Sequence, residues 1–118
     1  MNAKKTVMVW GTGEEERDLL HVDDLVDCIE AAIKNQNTNY ELINVGLGKS
    51  TSISELVKKI IAASGKNLSI DYDSTKPTIK TKLGVDITKA KQLFNWTPKI
   101  SLEEGIVKTL NWYKKHVL

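Results

Sequence analysis

Arg17 closes the run Trp10-Gly11-Thr12-Gly13-Glu14-Glu15-Glu16, and its side chain is the type best suited to hold paired phosphate oxygens. The guanidinium is planar and permanently charged, and each charge-assisted hydrogen bond it makes contributes about 1.5–3 kcal/mol. Trp10, on the other side of the glycine turn, offers an aromatic face on which a base or sugar could pack. Two structural fates compete with this chemistry: a salt bridge from Arg17 to the neighbouring acids, and burial of Trp10 in the core.

A second concentration of charge lies later in the chain. Residues 1–60 hold 7 basic and 10 acidic side chains and residues 61–118 hold 10 and 5, so the halves carry −3 and +5. Lys76, Lys80, Lys82, Lys89 and Lys91 make most of that excess, as a local anion site or as a solvated lysine face. The net charge of +2 is too small for the broad basic surface that sequence-independent nucleic-acid binding needs.

Three motifs approach a known chemistry and fail. Gly11-Thr12-Gly13 lacks the third glycine of a dinucleotide fingerprint, because Glu16 stands there and three glutamates would repel a pyrophosphate. Gly48-Lys49-Ser50 sits between a strand and a helix, but Ile43 replaces the first glycine of a phosphate-wrapping loop. Tyr72 and Lys76 have the spacing of a helical proton-transfer pair, yet they follow a strand, and Pro77 disfavours helix at Lys76.

The elements that position these residues follow from periodicity. Thr6–Trp10 and Asp18–Val22 read as β-prone runs forming a hairpin or a bent pair, with Asp23 as a helix N-cap. Leu25, Ile29, Ala32 and Ile33 give the helix that follows one apolar face. Tyr40–Val45 alternates as a strand. Ser52 with Glu55 opens the strongest amphipathic helix, carrying Ile53, Leu56, Val57, Ile60 and Ile61 and closed by Gly65. Leu68–Tyr72 is a strand, Lys82–Val85 a short one, Thr88 caps a short helix, and Ser101 with Glu104 opens the last. In that last helix Leu102, Ile106, Leu110 and Tyr113 are predicted buried, with Trp112 on the flank.

This is one mixed α/β unit of 118 residues, long enough for a single core and too short for two. The lone Cys28, in a helical pattern, predicts a small core residue in a reducing, cytoplasmic setting. No run reaches membrane-spanning length, and Met1–Lys5 running into strand residues is not a signal peptide.

Several blocks in fixed order carry a family resemblance. They are Trp10-Gly11-x-Gly13, Arg17-Asp18-x-x-His21-Val22-Asp23-Asp24, and Asn44-Val45-Gly46-x-Gly48 before Ser52-Ile53-x-Glu55-Leu56. Lys76-Pro77, Asp86-x-Thr88-Lys89-Ala90, Leu93-x-x-Trp96-x-Pro98 and Leu102-Glu103-Glu104-Gly105-Ile106 continue the series. From Val7 to Lys115 the chain resembles the C-terminal, substrate-binding part of the extended short-chain dehydrogenase/reductases, the NAD-dependent epimerase/dehydratase family, within it most closely the GDP-L-fucose synthase type.

The resemblance implies a small mixed α+β substrate-binding domain over residues 1–118, with three to four helices, short strands and no complete Rossmann domain. It implies recognition of a nucleoside diphosphate sugar, with Arg17 on the phosphates, Trp10 near the nucleotide and Lys82 helping to close the site. Lys80 competes with Lys82, because the sequence around Lys82 departs from the family pattern. His21 and Asp23 are read as hydrogen-bonding and capping residues.

No catalytic serine, tyrosine or lysine has a counterpart here. The chain is therefore expected to be inactive alone and to bind neither a metal nor a cofactor; NAD(P) belongs to the full-length family enzyme. The implied partners are the sugar nucleotide and a separate or missing N-terminal Rossmann domain, with a homodimer as a further arrangement. No nucleic acid or membrane partner is expected. Two other readings remain open at this point: a free-standing nucleotide-sugar binding module, and an assembly domain docking on a cofactor-binding chain.

Overall fold

A computed structural model describes residues 5–118. The Met1–Lys4 start, part of the segment read above as no signal peptide, lies outside those residues. In chain order the elements are β1 (Lys5–Trp10), β2 (Glu16–Asp18), α1 (Val22–Asn35), β3 (Ser50–Ser52), α2 (Ile53–Ser64), β4 (Leu68–Asp73), α3 (Thr88–Phe94) and α4 (Leu102–His116). The mixed α/β class and the four helices follow the sequence reading.

The strand pairing does not. β1 runs parallel to β4, with Val7 opposite Ile70 and Trp10 opposite Asp73, rather than forming a hairpin with β2. β2 instead pairs antiparallel with β3, placing Arg17 opposite Thr51. Parallel partners are joined through distant chain, so no local turn signal marks them.

The helix ends show which polar groups fix the connections. Ser52 and Ser101 accept hydrogen bonds from the Glu55 and Glu104 amides, and Gly65 closes α2 in the left-handed region at φ 69°. α1 starts earlier than predicted, because His21 Nδ1, not Asp23, caps it by accepting from the Asp23 amide at 3.1 Å. Thr88, expected to cap α3, is instead its first residue, and the N-cap Ile87 makes no side-chain bond; Asp86 accepts from the Thr88 hydroxyl and amide, and these bonds hold its carboxyl below the usual carboxylate range.

Asp24 is 1% exposed, a carboxylate buried in α1. It accepts the Lys99 amide at 3.1 Å and the Ile100 amide at 2.9 Å, so it ties α1 to the turn that enters α4. Beside it the core gathers Cys28, Ala90, Phe94 and Trp96, with Leu20, Ala31, Ala32, Ile43 and Val45 packed around them. Burial pushes the Cys28 thiol up, which keeps it in the unreactive protonated form.

α1 presents its larger apolar residues the wrong way for an isolated domain. Asp24 and Cys28 face inward, while Val22, Val26, Ile29 and Ile33 are 61, 56, 53 and 78% exposed. The predicted burial of Leu25, Ile29 and Ile33 is thus corrected: α3 packs only against the small-residue face. Tyr113 is also half exposed rather than buried, whereas Ile106 is buried as predicted. Tyr40–Val45, predicted as a strand, pairs with no strand among the described residues.

The molecule is a slab of 62 × 34 × 18 Å with a radius of gyration of 17.5 Å. A compact chain of this length has a radius near about 13.5 Å. The open shape and the outward stripe of α1 have the same physical origin: this chain alone does not supply enough surface to cover both sides of its helices.

α2 and α4 are joined by Lys59, which reaches Glu103 at 2.5 Å and Glu55 at 3.6 Å. The ammonium holds Glu103 below the usual carboxylate range, and Glu103 in turn raises Lys59. A depressed carboxyl contributes stability above its unfolded pKa and loses it as pH falls through the folded value. A raised lysine contributes below its unfolded pKa and loses that contribution as pH rises through its folded value. The melting-temperature difference between wild type and Glu103→Gln is therefore expected to be largest near neutrality and to shrink toward both acid and strong alkali. Because the pair is exposed, added salt should shrink it too; a difference that grows on acidification would contradict this.

Candidate functional site

The segment between β1 and β2 folds back on itself because its glycines allow it. Gly11 and Gly13 lie at φ +90° and +78°. A Cβ on Gly11 would stand 2.6 Å from Glu15 Oε1 and 2.7 Å from Thr78 Cγ2, and one on Gly13 would stand 2.6 Å from Tyr72. These glycines serve close protein packing and do not form a cofactor cradle.

The glycine turn also occupies the start of α2. The Ile53 amide donates to the Glu15 carbonyl and the Ser54 amide to the Gly13 carbonyl, both at 2.9 Å. The Ser52 hydroxyl takes the Glu55 amide. With those donors engaged, the Gly48-Lys49-Ser50 turn has no free helix terminus to offer a phosphate. It is held instead by Asp18, whose carboxylate accepts the Leu47 and Gly48 amides at 2.6 and 2.9 Å. Neither glycine segment fits a dinucleotide.

Arg17 projects from β2 onto residues 78–83, which run beside β2 as a strap. Its Nη1 donates to the Glu16 carbonyl at 2.7 Å and to the Thr81 carbonyl at 2.9 Å, and its Nη2 donates to the Ile79 carbonyl at 3.0 Å. The backbone reinforces this contact: Glu16 donates to the Thr81 carbonyl and receives the Leu83 amide, at 3.1 and 3.0 Å. The strap is thus a one-bridge extension of β2, at Glu16 and Lys82.

The competing fate for Arg17, a salt bridge to neighbouring acids, is absent among the described residues. The end of its fork is used on carbonyls, while Nε–H and one Nη2–H make no hydrogen bond among those residues. Lys82 is brought to the same strap, with Nζ 3.5 Å from Glu16 Oε2 and most of its side chain in solvent. Lys82 helps to line a polar cleft of about 600 Å³ with Thr12, Glu14, Ser54 and Tyr72. Lys80 lines an adjoining pocket with Glu15, Thr81 and Lys82 itself.

Trp10 is 57% exposed at the end of β1, so core burial is not its fate. Lys76 Nζ stands 5.8 Å from its ring centroid, within range of a cation–π contact. Tyr72 donates to Ser54 at 2.9 Å and belongs to β4, which removes it from any helical pairing with Lys76.

Sequence reasoning missed two carboxylates, Asp18 and Glu15. No local signal marked Asp18, because the turn whose amides it accepts lies 29 and 30 residues along the chain. Glu15 is buried under the strap. Its carboxyl is held below the usual range, first by its own backbone amide and then by the Thr78 hydroxyl. Neither oxygen reaches hydrogen-bonding geometry with a partner among the described residues.

Known proteins resemble this chain in sequence and fold. The GDP-mannose 4,6 dehydratase family model matches residues 1–109. GDP-L-fucose synthase 1 of Arabidopsis thaliana is 38% identical over 121 aligned residues, covering 99% of this chain and 36% of that protein. The structure of UDP-glucose 4-epimerase from Thermotoga maritima with UDP-glucose superposes with a TM-score of 0.85 at 32% identity, covering 96% of this chain and 36% of the epimerase. A GDP-6-OMe-4-keto-L-xylo-heptose reductase from C. jejuni gives 0.85 at 28% identity, covering 94% of this chain and 34% of the reductase. The chain therefore spans about a third of the length of the relatives it matches.

Proposed function

The chain belongs to the GDP-mannose 4,6 dehydratase family, and we propose that it is the nucleotide-recognising C-terminal portion of a nucleotide-sugar epimerase, dehydratase or reductase. Residues 1–118 would act as one substrate-binding domain in a cytoplasmic enzyme and would not turn over substrate alone. The cofactor of such an enzyme, NAD(P), would sit in the remaining portion, because neither glycine segment here fits one.

The observation that carries this reading is the half-used guanidinium of Arg17. Its Nε–H and one Nη2–H, without partners among the described residues, would be the donors for phosphate oxygens, with Lys82 on the adjoining strap as a second cation. Trp10 would pack on the base or sugar. Calorimetry of the isolated chain against GDP, UDP, CDP and dTDP tests the reading. At least one should bind, and Arg17→Ala should weaken binding by roughly 10- to 150-fold, the value of one charge-assisted hydrogen bond. No heat with any of the four would sink it.

A second reading concerns the partner. The outward stripe of α1 and the unpaired Tyr40–Val45 segment favour docking on a cofactor-binding portion, carried either on the same polypeptide or on a separate chain. An unpaired strand beside an apolar helix face is the arrangement that a parallel α/β sheet completes.

A further inference from the structure

Given the reading that a diphosphate reaches Arg17, we propose that Arg17 is also the positioning residue for the strap. One guanidinium would then couple ligand binding to the order of residues 78–83. Nη2 and Nη1 hold the Ile79 and Thr81 carbonyls at 3.0 and 2.9 Å, which leaves Nε–H and one Nη2–H for an anion. An anion on those donors fixes the orientation of the guanidinium and so holds it against the carbonyls. In return, a closed strap keeps the guanidinium in place for the anion.

The strap has few other attachments. Its backbone ties to β2 are the two bonds at Glu16. Ile79 and Leu83 are 71 and 53% exposed, so apolar burial does little to hold them. Beneath it, Glu15 is buried and its carboxyl is held below the usual range, first by its own backbone amide and then by the Thr78 hydroxyl. With so few ties, the closed strap depends on Arg17, which holds it. Coupling between two sites is reciprocal: if strap order raises anion affinity, the anion raises strap order by the same factor.

Amide hydrogen exchange at Glu16 and Leu83, with and without GDP, reads the coupling directly. In the wild type, GDP should slow both amides. Arg17→Lys retains the charge but not the fork, so without ligand both amides should exchange about tenfold faster or more. Leu83→Pro leaves Arg17 intact and removes the Leu83 N–H that donates to Glu16; Lys82 is extended, so a following proline is tolerated there. That variant should bind GDP about fivefold or more weakly.

Unchanged ligand-free exchange in Arg17→Lys would overturn the clamp. Unchanged GDP affinity in Leu83→Pro would overturn the coupling, as would wild-type amides that GDP does not slow. If GDP does not bind the wild type at all, the functional reading and the coupling both fail, while the ligand-free comparison still decides the clamp.

Discussion

Asp24→Ala is expected to destabilise the chain by about 3–5 kcal/mol, because it removes a buried acceptor from two amides that have nowhere else to turn. The Asp24 carboxylate is 1% exposed and receives the Lys99 and Ile100 amides. Charge-assisted bonds of this kind contribute about 1.5–3 kcal/mol each, and each orphaned N–H then carries its own desolvation cost. Against a total stability of about 5–15 kcal/mol for a domain of this size, the loss is a fifth or more. Urea unfolding measures it. Asp24→Asn, which keeps the shape and one acceptor oxygen, should fall between the two. A loss under about 1 kcal/mol for the alanine variant would mean that the turn into α4 is held by packing instead.

Asp24 also shows where sequence reading succeeds and where it stops. The helix around it is legible because apolar residues recur at helical spacing, and the caps at Ser52, Gly65 and Ser101 follow from local chemistry that a short window contains. What a window does not contain is the partner. Asp24 looks like a first-turn acid suited to the helix dipole, and its actual role depends on Lys99 and Ile100, far along the chain. The pairing of β1 with β4 escaped notice for the same reason: residues 5–10 and 68–73 are joined by no turn.

The candidate site was legible as a set of residue types and less so as a geometry. Trp10, Arg17 and Lys82 were singled out, and in the fold Arg17 reaches from β2 to the strap that carries Lys82. The carbonyls that engage Arg17 are invisible in sequence, since every residue has one. Tyr40–Val45 is the converse case. Its alternating pattern is real, with Ile43 and Val45 against the core and Leu42 outside, but a strand needs a ladder partner, and none of the described residues supplies one. A pattern can thus report a structure that the chain completes only in company.

That company can be tested on α1. Replacing Val26 and Ile29 together by lysine should leave the isolated chain folded, with a stability change within about 0.5 kcal/mol per site, because both side chains already face water. The same double variant should lose affinity for a separately expressed N-terminal portion of a family enzyme by about 100-fold or more. Each aliphatic side chain that docks would bury about 1.5–3 kcal/mol of apolar surface, and each lysine would have to be desolvated in its place. Thermal melts and a binding titration separate the two effects. A melting temperature that drops sharply would show the stripe already covered within this chain, and unchanged binding would place the docking surface elsewhere. A wild-type dimer that the lysines dissolve would assign the stripe to a second copy. The contrast carries the argument: a hydrophobic helix face whose mutation does not affect folding but abolishes association has been kept apolar for a surface outside this chain.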